Sequence, residues 1–423
     1  MEYIDILKDK PRNREAVIIN GNVHTYGELY DEAIKLRSTF RVGEKKSVFV
    51  IKEDGIWHQL LYFFACSGTK HVPLIVASDS KLSTGDDIFD IDVPDNSVMA
   101  VMTSGTTGVP KILFRDYESW GDFFPIQNEI FGIDADSRMF VQGSLAFTGN
   151  LNLYMGHLFA GGTIVAEDKF YPEQWENIIL NNNVNTIYLI PSKLLLLNRV
   201  CKHTNDNIKI IISGSQSLGR EDAERLKEIF PDVHITLYYG ASELSYVTYV
   251  GDGDMTDERN LIGRPFPGVK VYVRDEEIYV DTPYHAEGVE VPCTLKDSGR
   301  MDEDGNLYFL GRTDDIVNIR GRKISMVKVE NALMEIDYVE NAAVVALPKT
   351  VADNEKNMEI LTAYVKLSDD TKKSGDIKRL LAQRLSAYEI PKRFIYVDEL
   401  PKNVSGKTDK KALMELWKKE HFK

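Results

Sequence analysis

An α/β fold, with a β-rich segment past its middle and a small α+β region at its end, is predicted by three changes of texture along the 423 residues. In the first stretch, short apolar runs alternate with helix-period segments: Ser47 to Ile51 then Trp57 to Cys66, Thr186 to Ile190 then Ser192 to Val200, and Ile208 to Ile212 then Arg220 to Phe230. That rhythm reads as repeated βα units building a parallel sheet. Beyond about Gly263, strands follow closely with turn signals between them, at Val269 to Val273, Glu277 to Val280 and, after Asp304-Gly305, Asn306 to Leu310. After Asp314 the pattern becomes a helix at Val327 to Met334, strands at Ala342 to Ala346 and Leu361 to Leu367, a helix near Ile377 to Leu385, and a strand at Phe394 to Val397. No internal repeat or low-complexity linker separates these stretches, so a domain boundary there is a short hinge.

The length suits two or three domains with separate cores. Hydrophobic residues at 43 % and charged residues at 27 % are ordinary for a folded globular chain. A formal charge of −14 repels phosphate backbones and anionic lipid, which points to small-molecule ligands and away from nucleic acid or a membrane surface. Cys66, Cys201 and Cys293 lie far apart, in no metal-ligand or redox spacing, so a reducing cytoplasm is expected. Met1 to Asp5 carries neither a basic leader nor an apolar core, and no run of eighteen apolar residues occurs, so neither export nor a membrane span is expected.

The strongest chemical signal is Thr103-Ser104-Gly105-Thr106-Thr107-Gly108-Val109-Pro110-Lys111, which follows the apolar strand Val98 to Met102. Glycines, small hydroxyls and a lysine after a strand supply backbone N–H groups, O–H donors and positive charge, the set that holds a polyphosphate. It is not a Walker A loop: counted from Gly105, the pattern needs glycine where Pro110 stands, and Lys111 is followed by Ile112. Taken alone, the loop is equally a solvated Ser/Thr/Gly turn.

The loop resembles the phosphate loop of the adenylate-forming superfamily, which includes acyl- and aryl-CoA synthetases, peptide-synthetase adenylation domains and firefly luciferase. The family's other motifs follow in order. Tyr239-Gly240-Ala241-Ser242-Glu243 is similar to Y-G-x-[ST]-E, in which the tyrosine stacks on adenine, the hydroxyl meets phosphate and the glutamate helps hold Mg²⁺. Ser213-Gly214-Ser215 resembles the segment that lines the adenine, and Ile262-Gly263-Arg264-Pro265 the G-R-P turn. Asp297, ahead of Gly299-Arg300-Met301-Asp302, takes the place of the ribose-binding aspartate. Gly311-Arg312-Thr313-Asp314-Asp315 resembles the hinge motif, which puts Arg312 at the ribose and Asp314 at the pivot. Pro401 to Lys407 resembles P-x-x-x-S-G-K, so Lys407 is expected to offset charge at the α-phosphate, with Thr103 and Glu243 completing the catalytic set. Glu243 alone would ordinarily be a surface carboxylate, and Lys407 alone a solvated turn. Seen from Thr103 to Lys407 in the family's order, these motifs and the opening Val23 to Leu29, similar to L-T-Y-x-E-L, make the whole chain a recognisable enzyme.

The resemblance implies an AMP-binding domain over residues 1–313, made of packed α/β sheets with a β-rich subdomain and abbreviated between about 74 and 98. A mobile α+β domain over 314–423 would carry the catalytic lysine. ATP, Mg²⁺, and coenzyme A or a carrier protein's phosphopantetheine are the expected cofactors and partners. Two departures stand out: the ribose motif reads Leu295-Lys296-Asp297, and Lys323 stands where an arginine is common, although Gly321 still fits beside the pantetheine tunnel. In Ser144 to Asn150, Thr148 stands after Phe147 where adenylation domains for α-amino acids have an aspartate to pair a buried ammonium. An acid without an α-amino group, aryl or acyl, is therefore expected, with Phe147 gating its pocket or packing in the core. A carrier protein in place of coenzyme A, and a catalytically silent nucleotide-binding homologue, are the alternatives.

Overall fold

The computed structural model describes residues 2–41, 43–78, 80, 82–85, 91–103, 111–312, 315–319, 322–336, 338–349, 359–368, 374–402 and 408–421. The chain divides into two compact units, one of Met1–Tyr272 with Tyr279–Cys293, the other of Val273–Ile278 with Thr294–Lys423.

In the first unit the expected βα rhythm becomes two sheets. One runs in the order Leu261–Pro265, Ser245–Gly251, His234–Ala241, Ile210–Gly214, Thr186–Tyr188, Arg138–Gln142, Thr163–Glu167, Glu15–Ile19, Asn22–Thr25. From Glu15–Ile19 to His234–Ala241 every pairing is parallel, and antiparallel strands close both ends. Parallel neighbours need crossovers, which helices such as Thr148–Ala160, Pro191–Val200 and Arg220–Ile229 supply. The strand expected to reach Ile190 stops at Tyr188, because Pro191 opens the next helix with Ile190 as its extended N-cap. Tyr26–Arg37 starts on a full capping box, Thr25 with Glu28. The second sheet runs Ser47–Ile51, His71–Ile75, Met99–Thr103, Lys111–Arg115, the last pair antiparallel. Val48, Val50, Val72, Leu74 and Ala100 form one apolar face of it, with Ile112 and Phe114 packed alongside.

In the second unit, Asp297–Met301 pairs antiparallel with Leu307–Arg312, and Ile316–Ile319 with Arg322–Ser325. A three-stranded sheet follows, Val339–Pro348, Glu359–Leu367 and Arg393–Tyr396. The two-residue period of its strands divides the apolar side chains between two cores. Ala342, Val344, Leu361, Ala363 and Val365 join Val329 and Leu333 of helix Met326–Met334 and Ile377 and Leu381 of helix Ser374–Leu381. Ala343, Val345, Leu347 and Tyr364 join Leu413 and Trp417 of helix Lys410–His421 on the other face. The helix expected to reach Leu385 ends at Leu381. Among the described residues no helix is long and apolar enough to cross a membrane.

Candidate active site

Thr103 and Lys111 face each other as the last pair of an antiparallel ladder, so the loop read as a phosphate cradle connects adjacent strand ends. Thr103 is half-buried and Lys111 exposed. Ser104, Gly105, Thr106, Thr107 and Gly108 lie outside the described residues.

The Tyr239 to Glu243 motif closes the hairpin between His234–Ala241 and Ser245–Gly251, and the ladder slips register between Tyr239 and Gly240. A Cβ on Gly240 would stand 2.4 Å from the Ser245 carbonyl oxygen, which is why glycine is needed there. The turn leaves Tyr239, Ala241, Ser242 and Glu243 half-buried, and Ser245 is forced to φ 62°. Two contacts anchor it: the Ala286 amide donates to the Glu243 carbonyl at 2.8 Å, and Arg115 Nη2 to the Ser242 carbonyl at 2.7 Å. Arg115 went unnoticed in the sequence, where it reads as the polar end of an apolar strand. The hydroxyls of Ser242 and Thr148 lie 2.8 Å apart, so the residue at the aspartate position is joined to the phosphate motif.

Thr148 opens helix Thr148–Ala160, with the half-buried Phe147 as its N-cap. Phe147 is therefore outside the fully buried core. Ser213 is fully buried, its hydroxyl donating to the Leu189 carbonyl at 2.7 Å, while Ser215 is exposed at φ 70°. A Cβ on Gly214 would meet the Tyr238 ring at 2.7 Å. The hydroxyls of Tyr238 and Tyr188 meet at 2.9 Å, and burial raises both above the usual phenol range, Tyr188 to about 12.

In the second unit, the two residues proposed for the ribose meet: Asp297 and Arg312 are register partners, and Arg312 Nε donates to Asp297 Oδ1 at 3.2 Å. The aspartate side chain is 2 % exposed and the arginine 58 %, so Arg312 is the accessible member of the pair. Lys402 and Thr408 form an isolated antiparallel bridge, closing the ends of the loop that carries Lys407. Lys407, Asp314 and Gly321 lie outside the described residues, as does the side chain of Lys323. Lys410, the first residue of helix Lys410–His421, is half-buried. Lys410 Nζ lies 3.0 Å from both Asp315 Oδ1 and Glu330 Oε1, and Glu330 also accepts from the Val344 amide at 2.7 Å. Burial works to lower the Lys410 ammonium, but the two carboxylates outweigh it and hold it above the ordinary value. Burial likewise pushes the Glu330 carboxyl up, against the pull of Lys410.

Among the described residues no group of three or more His, Cys, Asp or Glu side chains could hold a metal by itself. Glu243, a single half-buried hard carboxylate next to Ser242 in the chain, fits Mg²⁺ whose remaining ligands are nucleotide phosphates and water. A cavity of about 620 Å³ elsewhere in the first unit, lined by His24, Glu28, Trp57, His58 and Asp168 among others, includes none of the proposed site residues.

The AMP-binding enzyme family matches residues 78–289, half of the chain, and the AMP-binding enzyme C-terminal domain matches 328–407. The chain belongs to this family, the adenylate-forming superfamily of the motif reading, and is an enzyme of its acid–thiol ligase class. An uncharacterized acyl-CoA ligase of Bacillus subtilis, YhfT, is 29 % identical over 78 % of this chain and 70 % of its own length. Tyrocidine synthase 3 of Brevibacillus parabrevis is 26 % identical over 79 % of this chain, which spans 6 % of that much longer protein. The o-succinylbenzoate CoA synthetase of Bacillus subtilis, solved with its acyl-adenylate intermediate, shares the fold at TM-score 0.80 and 18 % identity, covering 97 % of each chain.

Proposed function

We propose that this chain uses MgATP to convert a carboxylic acid lacking an α-amino group, aryl or acyl, into its acyl-adenylate and then passes the acyl group to the thiol of coenzyme A. The observation that carries the choice of acid is the Thr148–Ser242 hydroxyl pair at 2.8 Å: a neutral, already bonded side chain stands where a buried ammonium would need a carboxylate. In the first half-reaction, a carboxylate oxygen attacks the α-phosphorus, the bond to the bridging oxygen of the β-phosphate breaks, and pyrophosphate leaves. Tyr239 and the Ser213 to Ser215 segment take the adenine, Arg312 and Asp297 the ribose, Thr103 to Lys111 and Ser242 the phosphates. Glu243 would hold Mg²⁺, which when bound would supply screening of the pyrophosphate charge, and Lys407 offsets charge at the α-phosphate. In the second, the thiol sulfur attacks the acyl carbon, the bond to AMP breaks and the thiol proton is released. AMP is already a good leaving group, so no Ser-His-Asp set is required. Residues 314–423 turn about Asp314 between the halves, and Gly321 leaves the pantetheine path open. Three widely separated thiols suit a cytoplasmic enzyme.

The likeness to a peptide synthetase supports a second reading, in which a carrier protein's phosphopantetheine takes the acyl group. The deciding experiment is pyrophosphate release from MgATP across fatty, aryl and amino acids, with and without coenzyme A. Strong release with one non-amino acid, and its coenzyme A thioester as product, is expected. Release without thioester transfers the role to a carrier protein, and no release with any acid would mean a nucleotide-binding homologue without turnover.

A further inference from the structure

Arg115 is 1 % exposed and ends the strand that begins at Lys111, the far edge of the phosphate loop. Its guanidinium spans three segments: Nη1 donates to the carbonyls of Ser119 at 3.1 Å and Tyr284 at 2.8 Å, and Nη2 to that of Ser242 at 2.7 Å. All three acceptors are neutral. Burial brings the side chain down to about 10, and the charges of Glu243 and Asp116 oppose that shift. A buried cation costs several kcal/mol that a neutral amide donor to the same carbonyls would not. That cost calls for a reason, and one of the three carbonyls the fork holds, that of Ser242, directly precedes Glu243 in the chain.

We propose that Arg115 is a positioning residue for the Ser242–Glu243 turn, its fork fixing the turn against the strand that leaves the phosphate loop and so presenting Glu243 to the metal–nucleotide complex. This rests on the reading of Glu243 as the metal carboxylate. A simple core staple would hold the fold together and leave metal binding alone. Outer partners of metal ligands typically govern metal affinity by 10–100-fold, and they do so without touching the ion.

The test titrates Mn²⁺ into the protein with ATP and no acid, following free Mn²⁺ by electron paramagnetic resonance, with metal-free ATP binding and a melting curve beside it. Arg115→Lys keeps the charge and loses the fork; Arg115→Gln keeps amide donors and loses the charge. Each is expected to weaken ATP-dependent Mn²⁺ binding about tenfold while metal-free ATP binding stays within about twofold. In a Glu243→Gln background, Arg115→Lys should add no further loss. A folded Arg115→Lys protein with unchanged Mn²⁺ affinity overturns the proposal, as does an added loss in the Glu243→Gln background. Wild-type protein that binds no Mn²⁺ with ATP overturns the metal reading itself and the proposal with it. Should neither variant fold, wild-type protein ¹⁵N-labelled in its arginine side chains decides: the Arg115 signals shift when Mg²⁺ joins the ATP complex, and their failure to shift overturns the proposal.

Discussion

In the first unit Arg115 stands behind the Ser242–Glu243 turn among three backbone carbonyls; in the second, Lys410 stands two residues beyond Thr408, between the carboxylates of Asp315 and Glu330. Both cations brace a segment that a functional motif runs through, and they differ in how their charge is answered. Lys410 is neutralised on the spot, and its cluster joins the residue after Asp314, helix Met326–Met334 and, through the Val344 amide, the central sheet. Arg115 is solvated by the dipoles of three backbone carbonyls, one of them that of Ser242, next to Glu243 in the chain. The contrast teaches that a buried ion paired with carboxylates fastens side chains to one another, whereas one held by carbonyls fixes the backbone of the segments it spans.

The largest effect is expected at Lys407, whose role neither cation can take over. Lys407→Ala should lower the rate of adenylation by at least about 10²–10³-fold while ATP binding stays nearly intact, measured by pyrophosphate exchange and equilibrium binding. Unchanged exchange would remove Lys407 from the chemistry.

His157 supplies the uncharged case. Fully buried, its Nε2 lies 3.0 Å from the carbonyls of Ser137 and Thr163, so that nitrogen bears the proton of a neutral ring, and burial lowers the group from 6.5 to about 4. Because the folded value lies below the unfolded one, its contribution is complete above pH 6.5 and is lost as pH falls toward about 4. Denaturant titrations should show roughly 2–3 kcal/mol lost over that window, and His157→Gln should flatten the slope.

Lys410→Met tests the fastener. Its partners' side chains are 25 % and 17 % exposed, so leaving them unpaired should cost the second unit about 2 kcal/mol, less than the 3–5 of a fully buried pair. Adding Glu330→Gln should return part of it, with the fluorescence of buried Trp417 as one reporter of unfolding. No return would mean that the cluster is not one unit. The smallest effect is expected at Thr148→Val, which removes one hydroxyl bond to Ser242 and should raise KM in the adenylation assay by about fivefold, near 1 kcal/mol, with Thr148→Ser close to wild type.

Much of this protein was legible before any coordinates. The βα rhythm from Ser47 to Phe230 became two sheets with parallel interiors, because periodicity is a local consequence of which face a residue buries. The motif Tyr239 to Glu243 was legible for a similar reason: Gly240 answers a steric demand of its own hairpin. Less legible were the antiparallel strand Lys111–Arg115, whose five residues suit several conformations, and the early stop at Tyr188, set by a single proline three residues on.

Sequence by itself determined the class of enzyme and the residues to suspect, since recognition of a nucleotide needs particular side chains at spacings that the chain order displays. Only the tertiary structure decided that Thr148 touches Ser242, that Asp297 is spanned by Arg312 and nearly removed from solvent, and that Arg115 holds the Ser242 carbonyl. Those contacts join residues from 15 to 127 positions apart, and their strength depends on burial and on which carbonyls happen to face the charge. Neither property is written in local pattern, because both arise only when separate segments pack together.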